Sequence, residues 1–378
     1  MRVASWGVCL SRPWPSVLAI QRSDMNPAID HTTELRHALE RSGEPGAAEL
    51  LEALQALLGG AEAVGPTVVL TPLKRKRLVY RLQLEPGPGP RSLILKRDEP
   101  ARAQLNRLVA NRWLPALGMG DHCARLLATA AEREGRWVWN VYEDLGDGNL
   151  DGCTERQCIE AAVDLVGELH IRAAGHPLLP EVRHHGQDLG LPFFVANVGD
   201  AIRGLEALPG AARQPPIEMM ASRDRLLERL CPLVAGTPRR AAVLRESGGP
   251  DTLLHGDLWR ANVFVTVVAE GVHGRLIDWD HVGVGPFSYD LSTFLMRFPP
   301  AERSWILRRY HQAVSAAGWR LPAERDLNVL FETAEYARFA NRAAWAAMAW
   351  LNEGAEWVPV ELAEIARWFE VWRPVLAE

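Results

Sequence analysis

Hydrophobic and polar positions divide the chain into a helical start, a β-rich section and a long helical remainder. Leucines from Leu50 to Leu58 repeat at helical spacing, and a helical sequence pattern extends over residues 32–58. Short apolar or alternating runs then predict strands, and a helix is expected among them from about Ala101 to Leu117. The predicted strands contain Val68–Leu70, Arg77–Leu84, Ser92–Lys96 and Trp137–Tyr142.

Strand patterns become rare after Glu143. Residues 144–149 are rich in Asp and Gly and predict a turn-forming linker. One β-hairpin is expected, with strands at Val263–Val268 and Arg275–Ile277. Residues 176–199, rich in Pro, Gly and His, are expected to be irregular. Helices are predicted over about Glu155–Ala173 and Arg223–Leu230, and again from Ala301 onward.

This order predicts an α+β fold of two lobes, a small antiparallel β-rich lobe and a large, mostly helical one. The expected organisation is a β-rich N-lobe at 61–143, a hinge at 144–150 and a helical C-lobe at 151–378. Residues 31–60 form a helical N-terminal extension. Residues 1–30 are expected to be a disordered leader, or the first 24 of them an over-long gene start. Pro13 and Pro15 interrupt any apolar core there, which argues against a secretory signal.

Composition narrows the class of protein. The chain has 378 residues, 48% apolar and 24% charged, with a formal net charge of -5. A mildly acidic chain argues against a broad nucleic-acid surface, and no apolar run reaches the 18 residues of a membrane span. Five scattered cysteines indicate reduced thiols in a cytoplasmic protein. They are Cys9, Cys123, Cys153, Cys158 and Cys231.

Lysine is scarce and clustered. Of 42 basic residues 39 are arginine, and the lysines are Lys74, Lys76 and Lys96. Because a compact ammonium and a planar guanidinium do different work, lysines kept in an arginine-rich chain are candidates for a specific task.

The strongest chemical signal lies around the predicted hairpin. His255-Gly256-Asp257 follows an apolar pair, Asn262 comes five residues after the aspartate, and Asp278 ends the returning strand. The two ends of one hairpin bring Asn262 and Asp278 together. An amide oxygen and a carboxylate suit Mg²⁺, and Asp257 nearby can accept a proton from an alcohol. These are the parts of a phosphoryl-transfer site.

The same residues resemble the aminoglycoside phosphotransferase and choline kinase family of the protein-kinase-like superfamily. His255 to Asn262 resembles its catalytic loop, and Ile277-Asp278-Trp279-Asp280 its metal-binding segment. Further matches in the family's order are the hinge at 139–146, the Leu-x-x-Leu-His helix end at 165–170 and the stretch from Gly285 to Leu291.

The resemblance implies roles for individual residues. Asp257 is the implied base, or the group that orients the acceptor hydroxyl. Asn262 and Asp278 are the implied Mg²⁺ ligands, and Lys96 matches the strand lysine on the nucleotide phosphates. Tyr142 and Glu143 lie where the hinge meets the base of ATP or GTP. His255, Asp280 and Asp290 are implied to support the site, Asp290 by tying the catalytic loop in place.

Two departures from the family pattern stand out. No glutamate occurs from Pro100 to Ala131, where the family's lysine partner is expected, so Asn106 or Asn111 takes that position or Lys96 pairs elsewhere. The turn expected to cover the phosphates, Lys74-Arg75-Lys76, has no glycine. Its side chains contact phosphate, or it is simply a solvated turn.

The resulting prediction is an ATP- or GTP-dependent phosphotransferase that acts on a small-molecule alcohol, with no membrane or nucleic-acid partner. Aminoglycoside, choline-like and sugar-like acceptors stay open. Glutamates of the C-lobe, Glu332, Glu335, Glu353 and Glu356, would attract a cationic acceptor, although solvated helix faces explain them as well. The alternatives are a catalytically silent nucleotide-binding module and a metal-dependent hydrolase with His255, Asp257 and Asp278 as ligands.

Overall fold

The computed structural model describes residues 31–58, 67–74, 79–85, 92–153, 155–269 and 271–376. An antiparallel sheet comes first and a mainly helical part follows, so the predicted α+β class is confirmed. The sheet has the strand order β1-β2-β3-β5-β4. Its strands are β1 (Thr67–Lys74), β2 (Val79–Glu85), β3 (Ser92–Asp98), β4 (Leu126–Ala131) and β5 (Val138–Glu143).

Two helices, α1 (His31–Ser42) and α2 (Ala47–Leu57), pack against one face of this sheet. The helical region predicted over 32–58 is therefore two helices. Gly43 and Gly46 have left-handed φ angles of 66° and 76°, which glycine adopts without a steric penalty, and the chain turns between the helices there.

Period-two alternation along β3 sends its side chains to opposite faces of the sheet. Leu93 and Leu95 are fully buried against the helical extension. Ile94 and Lys96 point to the other face, where they line a cavity against the helical part of the chain. One strand thus contributes both to the core of the small lobe and to the candidate site.

The helix after β3 is interrupted. It consists of α3 (Pro100–Leu108), a π-helical turn (Val109–Trp113) and α4 (Leu114–Ala116), in the place predicted for a single helix. The strand that follows, β4, was not predicted, because its sequence LLATAA is rich in alanine and lacks the alternation of a half-buried strand.

The remainder combines helices with short strands. The strands are β6 (Gln187–Asp188), β7 (Thr252–Leu254), β8 (Val263–Val268), β9 (Gly271–Leu276) and β10 (Gly283–Gly285). The helices are α5 (Arg156–Ala173), α6 (Leu179–His185), α7 (Leu191–Ala207), α8 (Ile217–Ala235), α9 (Thr237–Ser247), α10 (Ser288–Met296), α11 (Pro300–Ser315), α12 (Glu324–Glu353) and α13 (Val358–Val371).

Two apolar cores hold this part together. One surrounds α5 and α11 and includes the base of the β8–β9 hairpin. The other lies among α7, α8, α12 and α13. In the part of the chain described, no helix is both long enough and apolar enough to cross a bilayer.

The prediction of an irregular stretch at 176–199 is wrong, since α6 and the start of α7 occupy most of these residues. Pro180 and Pro192 lie in the first turns of these helices, where proline has no amide hydrogen bond to lose and its fixed φ suits the helix. The helix predicted over 223–230 is likewise the middle of the longer α8.

The expectation of free thiols is wrong for one pair, because Cys153 and Cys158 form a disulfide. Cys158 lies in the first turn of α5 and Cys153 in the turn before it. Their Cα atoms are 6.6 Å apart, within the reach of a disulfide. Cys123 and Cys231 are free, the first buried and the second exposed.

Leu54 tests the packing of α2 on the sheet, because its side chain is fully buried among leucines of both. We expect Leu54→Ala to lower the free energy of unfolding by about 2–4 kcal/mol, measured by urea denaturation. Leu57→Ala, at a half-buried position of the same helix, is the matched control and should cost clearly less. Equal losses in the two variants would contradict this packing.

Candidate active site

A cavity of about 310 Å³ lies between the sheet and the helical part of the chain. Four of the residues singled out in the sequence line it, namely Lys96, Tyr142, Glu143 and Asp278. Its walls also include apolar side chains from both sides, among them Val79, Ile94, Phe264 and Leu276. The cavity is therefore polar at the Lys96 and Asp278 end and apolar between its walls.

The segment after β5 forms one edge of this cavity. The Glu143 carboxylate is engaged elsewhere, 2.8 Å from the Arg125 amide and 2.9 Å from the Arg275 guanidinium. Leu145 also lines the cavity, and its peptide N–H and C=O make no hydrogen bond within the described residues. The peptide groups of Leu145, rather than the side chain of Glu143, are thus available to a planar ligand.

Arg81 of β2 fastens this segment to the sheet. Its guanidinium is 2.7 Å from Asp144 and 2.8 Å from Asp147, and it donates to the Gly146 carbonyl oxygen at 3.0 Å. Ser92 donates to the same Asp144 carboxylate at 2.5 Å. A charged clamp therefore fixes the turn that the sequence predicted as a hinge.

Lys96 is buried in a cluster of carboxylates. Its ammonium lies 2.6 Å from Asp280, 3.0 Å from Asp278 and 3.6 Å from Asp98. Burial alone would lower the pKa of Lys96, but these carboxylates raise it above its ordinary value, so the cation persists at neutral pH. Asn106 of α3 donates to Asp280 at 2.9 Å.

This arrangement answers the question raised by the missing helix glutamate. The described residues pair Lys96 with aspartates, two of them from the segment after β9. Asn106 occupies the expected helix but contacts Asp280 rather than the lysine. Asn111 has no contact with this cluster among the interactions of the described residues.

Asp98 is the least satisfied member of the cluster. Its Oδ2 accepts no hydrogen bond within the described residues, although it lies 3.6 Å from Lys96. Burial raises the pKa of Asp98 to about 6, against the opposing effect of Lys96. Asp98 therefore binds a proton near neutral pH more readily than an ordinary aspartate.

The hairpin brings the two candidate metal ligands together, as its geometry predicts. Val263 pairs with Leu276 at its open end, and the Ile277 amide donates to the Asn262 carbonyl oxygen at 3.0 Å. Asp278 follows directly. It is the one residue other than glycine with a positive φ, 65°, in the described part of the chain. A strained backbone at such a residue is typical of functional sites.

The amide of Asn262 is held in one orientation. Its Nδ2 donates to the Asp257 carbonyl oxygen at 2.9 Å. The side-chain oxygen is therefore the atom left to act as a ligand. Together with the Asp278 carboxylate it forms a pair of hard oxygen donors, which fits Mg²⁺ better than a softer metal.

A fully buried aspartate, Asp290 in α10, supports the turn that carries Asp257. It accepts backbone hydrogen bonds from His255 at 2.7 Å and from Gly256 at 2.9 Å. His170 lies 3.5 Å away. Burial alone would raise the pKa of Asp290, but the hydrogen bonds and the nearby histidines hold it below its ordinary value. Its charge thus stabilises the loop.

Gly256 is required at the centre of this turn. Its φ is +82°, and a Cβ there would lie 1.8 Å from the His281 carbonyl oxygen. No rotamer change relieves a clash with backbone. The turn that carries Asp257 and the segment after Asp280 are therefore in contact through a glycine.

Asp257 is half-buried, and its carboxylate accepts no hydrogen bond from any described residue. It does not line the cavity; it adjoins the Asp278 end through Asn262. The carboxylate interacts electrostatically with Arg297 and Arg338. An acceptor hydroxyl can therefore reach it without displacing a protein group.

His255 is committed to structure. Its Nε2 lies 2.8 Å from the Ile277 carbonyl oxygen, and its Nδ1 accepts from the Asp257 amide at 3.3 Å. Both ring nitrogens are used, which leaves neither for a metal. The hydrolase alternative, which needs His255 as a ligand, has no support in this geometry.

Most of the basic turn expected to cover phosphates lies outside the described residues. Arg75 and Lys76 lie outside the described residues, and Lys74 is described only as the end of β1. Their proposed contact with phosphate stays a prediction.

Comparison with known proteins decides the family. A sequence profile of the phosphotransferase enzyme family (APH) matches residues 74–327, about two thirds of the chain. The chain belongs to this family. The resemblance seen in the sequence is thereby confirmed, and so is the prediction of a small-molecule O-phosphotransferase. No protein of curated function matches this phosphotransferase with significant sequence similarity.

Solved structures show the same kinase-like two-lobe fold. A spectinomycin phosphotransferase in complex with ADP and spectinomycin has a TM-score of 0.53 at 12% identity, over 82% of this phosphotransferase and 90% of that chain. An ethanolamine kinase of Plasmodium vivax has a TM-score of 0.54 at 12% identity, over 83% of each chain. At this identity the likeness concerns the fold alone.

Several residues of the phosphotransferase site were not found from the sequence. Asn106 is one of two choices that the sequence leaves open, Leu145 enters only as part of the hinge at 139–146, and the sequence pattern does not single out Arg81 or Asp98. Arg81 and Asp98 lie on the cavity side of the sheet, and the period-two pattern around Lys96 places Asp98 on the same face. The groups that Leu145 offers to the cavity are those of its backbone, which leave no signal in residue type.

Asp98 gives a prediction about pH. Because folding raises the pKa of Asp98 to about 6, the folded protein binds a proton there more tightly than the unfolded chain. The stability gained from this proton is present at low pH and is lost as pH rises from about 4 to about 6. At pH 8 the free energy of unfolding of Asp98→Asn should therefore exceed that of wild type by about 1–3 kcal/mol, and at pH 4 the two should be similar. Urea denaturation across this range measures it.

Asp224→Asn, at an exposed position, is the control for this comparison and should leave the pH profile unchanged. A difference between Asp98→Asn and wild type that does not vary with pH would contradict the assigned pKa.

Gly256 gives a prediction about the turn. Gly256→Ala should lower the free energy of unfolding by more than about 3 kcal/mol, since the methyl group meets backbone and the φ is unfavourable. Gly210→Ala, where a Cβ meets nothing within 4 Å, is the matched control. A Gly256→Ala protein as stable as this control would show that the turn is not as described.

Proposed function

We propose that this phosphotransferase moves the γ-phosphoryl group of ATP or GTP to the hydroxyl of a small molecule, with Mg²⁺ as cofactor and Asp257 as the catalytic base. The observation that carries the proposal is that a buried lysine and Asp278 lie at one end of one cavity, with Asn262 and the unpaired carboxylate of Asp257 adjoining that end. Phosphoryl transfer needs these groups in this proximity.

The nucleotide base is proposed to lie between the apolar walls at Ile94 and Leu276, with its polar edge on the peptide groups of Leu145. A volume of about 310 Å³ is adequate for a small ligand. The spectinomycin phosphotransferase of similar fold is in complex with ADP, which supports an adenine nucleotide. GTP remains the second candidate, and we expect the enzyme to work in the cytosol.

Lys96 is proposed to contact the phosphates. Its position at the polar end of the cavity and its persistent charge support this role. Asp280 and Asn106 would keep the ammonium in place, because Asp280 bonds both. Lys74, Arg75 and Lys76 are proposed to cover the phosphates from the turn after β1.

Mg²⁺ is proposed to bind to the Asn262 side-chain oxygen and to Asp278. When bound, such an ion neutralises phosphate charge and favours departure of the nucleoside diphosphate. Asp278 also contacts Lys96 at 3.0 Å, so the residues for the metal and the phosphates adjoin one another.

Asp257 is proposed to receive the proton of the acceptor hydroxyl. The hydroxyl oxygen forms a bond to the γ-phosphorus, the bond from that phosphorus to the bridging oxygen breaks, and ADP or GDP leaves. Asn262 holds the backbone of Asp257, and Asp290 holds the turn before it, so the backbone that carries the carboxylate is fixed before the acceptor arrives. Such positioning is the main source of catalysis in phosphoryl transfer.

A catalytically silent nucleotide-binding module is the remaining alternative. It shares the cavity and Lys96 but predicts nucleotide binding without transfer. The carboxylate of Asp257, which pairs with no described residue, favours the active enzyme.

Asp257→Asn tests the proposal. We expect Mg²⁺-dependent nucleotide consumption, measured over a library of alcohols, to fall at least about 100-fold, since the amide does not accept the proton. Nucleotide affinity, measured by calorimetry, should change little because Asp257 does not line the cavity.

Asp251→Asn is the matched control, an exposed aspartate six positions earlier whose partner is Arg183 on the surface. It should keep wild-type activity. Undiminished transfer in Asp257→Asn, with the control also active, would refute the role of Asp257.

A further inference from the structure

Arg297 lies beside the catalytic loop with an unusual set of neighbours. It follows α10, and its guanidinium stacks over the Trp259 ring at 3.1 Å from the ring centre. Trp259 is two residues from Asp257 and donates its amide to the Asp257 carbonyl oxygen at 2.9 Å. A fixed cation therefore lies next to the residue proposed to meet the acceptor.

Within the described residues the Arg297 guanidinium makes no hydrogen bond and no ion pair. It does interact electrostatically with the carboxylates of Glu335, Asp257 and Asp151. Partial burial lowers its pKa from the ordinary arginine value, yet arginine remains charged at any physiological pH. The Arg297 side chain is exposed to solvent, so an anionic group can reach it, and a cation without an ion pair is suited to bind one.

Two of the glutamates that the sequence offered to a cationic acceptor are paired with arginines. Glu335 is buried and accepts from Ser292 at 2.7 Å and from Thr293 at 3.2 Å, and it pairs with Arg338. Glu332 lies 3.5 Å from Arg240. The glutamates considered for a cationic acceptor are thus engaged by the protein itself, apart from the exposed Glu353 and the weakly paired Glu356.

We propose that the acceptor is an anionic alcohol, whose carboxylate or phosphate group binds to Arg297 while its hydroxyl meets Asp257. The inference rests on the proposed phosphotransfer at the same site. A guanidinium stacked on an indole keeps its N–H edge open, and that edge matches two oxygens of a carboxylate or phosphate. The transfer itself is unchanged: the acceptor oxygen gains the phosphoryl group, its proton passes to Asp257, and the nucleoside diphosphate leaves.

A panel of alcohols tests the charge of the acceptor. Wild-type protein with Mg²⁺ and ADP is examined by ligand-observed NMR against hydroxy acids, sugar phosphates, amino alcohols, an aminoglycoside and neutral sugars. Turnover of the same compounds is measured with Mg²⁺ and ATP. Hydroxy acids or sugar phosphates should bind and be phosphorylated, and whichever of the two does so identifies the anionic group.

Arg297→Gln should raise the dissociation constant and KM for anionic alcohols about tenfold or more, with a much smaller change in kcat. Arg213→Gln is the matched control, because Arg213 also stacks on a tryptophan, Trp350, at 5.0 Å. It should behave as wild type. Arg297→Glu should reverse the preference between anionic and cationic alcohols.

The proposal would be overturned if no anionic alcohol bound, or if only cationic or neutral alcohols did. It would also be overturned if kcat fell equally for all acceptors in Arg297→Gln. The uniform fall would place Arg297 on the transferred phosphoryl group. Failure of the phosphotransfer proposal is separate, because it appears as an absence of nucleotide binding and consumption whatever the charge of the alcohol.

Discussion

A buried ammonium surrounded by carboxylates from another part of the chain is the interaction on which the rest of the site depends. Lys96 is only 8% exposed, and removing its charge from water is costly unless anions are fixed beside it. Asp278 and Asp280 supply that charge from the segment after β9. Because each partner needs the other, the ion cluster sets the position of the sheet relative to the hairpin and closes the polar end of the cavity.

The remaining geometry follows from how these aspartates are themselves held. The register of the hairpin places Asp278 beside Asn262, and the side chain of Asn262 fixes the Asp257 backbone. Asp290 supports the same turn from α10 with an ionised carboxylate. The chain of contacts from Lys96 to Asp257 therefore runs through short hydrogen bonds and one hairpin, so few residues decide whether the site is assembled.

The sequence predicted the parts of this molecule where a local pattern and a chemical requirement coincide. The alternation along β3, the hairpin and the spacing of Asp257, Asn262 and Asp278 each follow from short-range rules. The family and the α+β fold could be predicted for this reason.

Other features depended on tertiary contacts that no local pattern carries. β4 is an alanine-rich strand stabilised by its pairing with β5, and α7 has a proline in its first turn, in a stretch rich in helix breakers. The partners of Lys96 are far away in the chain: Asp278 lies 182 positions after it and Asp280 lies 184 positions after it. The pairing of Cys153 with Cys158 likewise depends on how the turn meets α5, which spacing alone did not reveal.

The proposed acceptor follows from the surroundings of Asp257. Arg297 stacks on Trp259, and Glu335 is paired with Arg338, so this neighbourhood favours an anionic group over a cationic one. The central claim, transfer of phosphoryl to an alcohol and not to water, is tested most directly by phosphorus NMR of the enzyme with ATP, Mg²⁺ and pooled anionic alcohols. The account predicts a phosphate-ester signal that grows at the same rate as ADP. ADP accompanied only by inorganic phosphate, or no consumption of ATP, would contradict it.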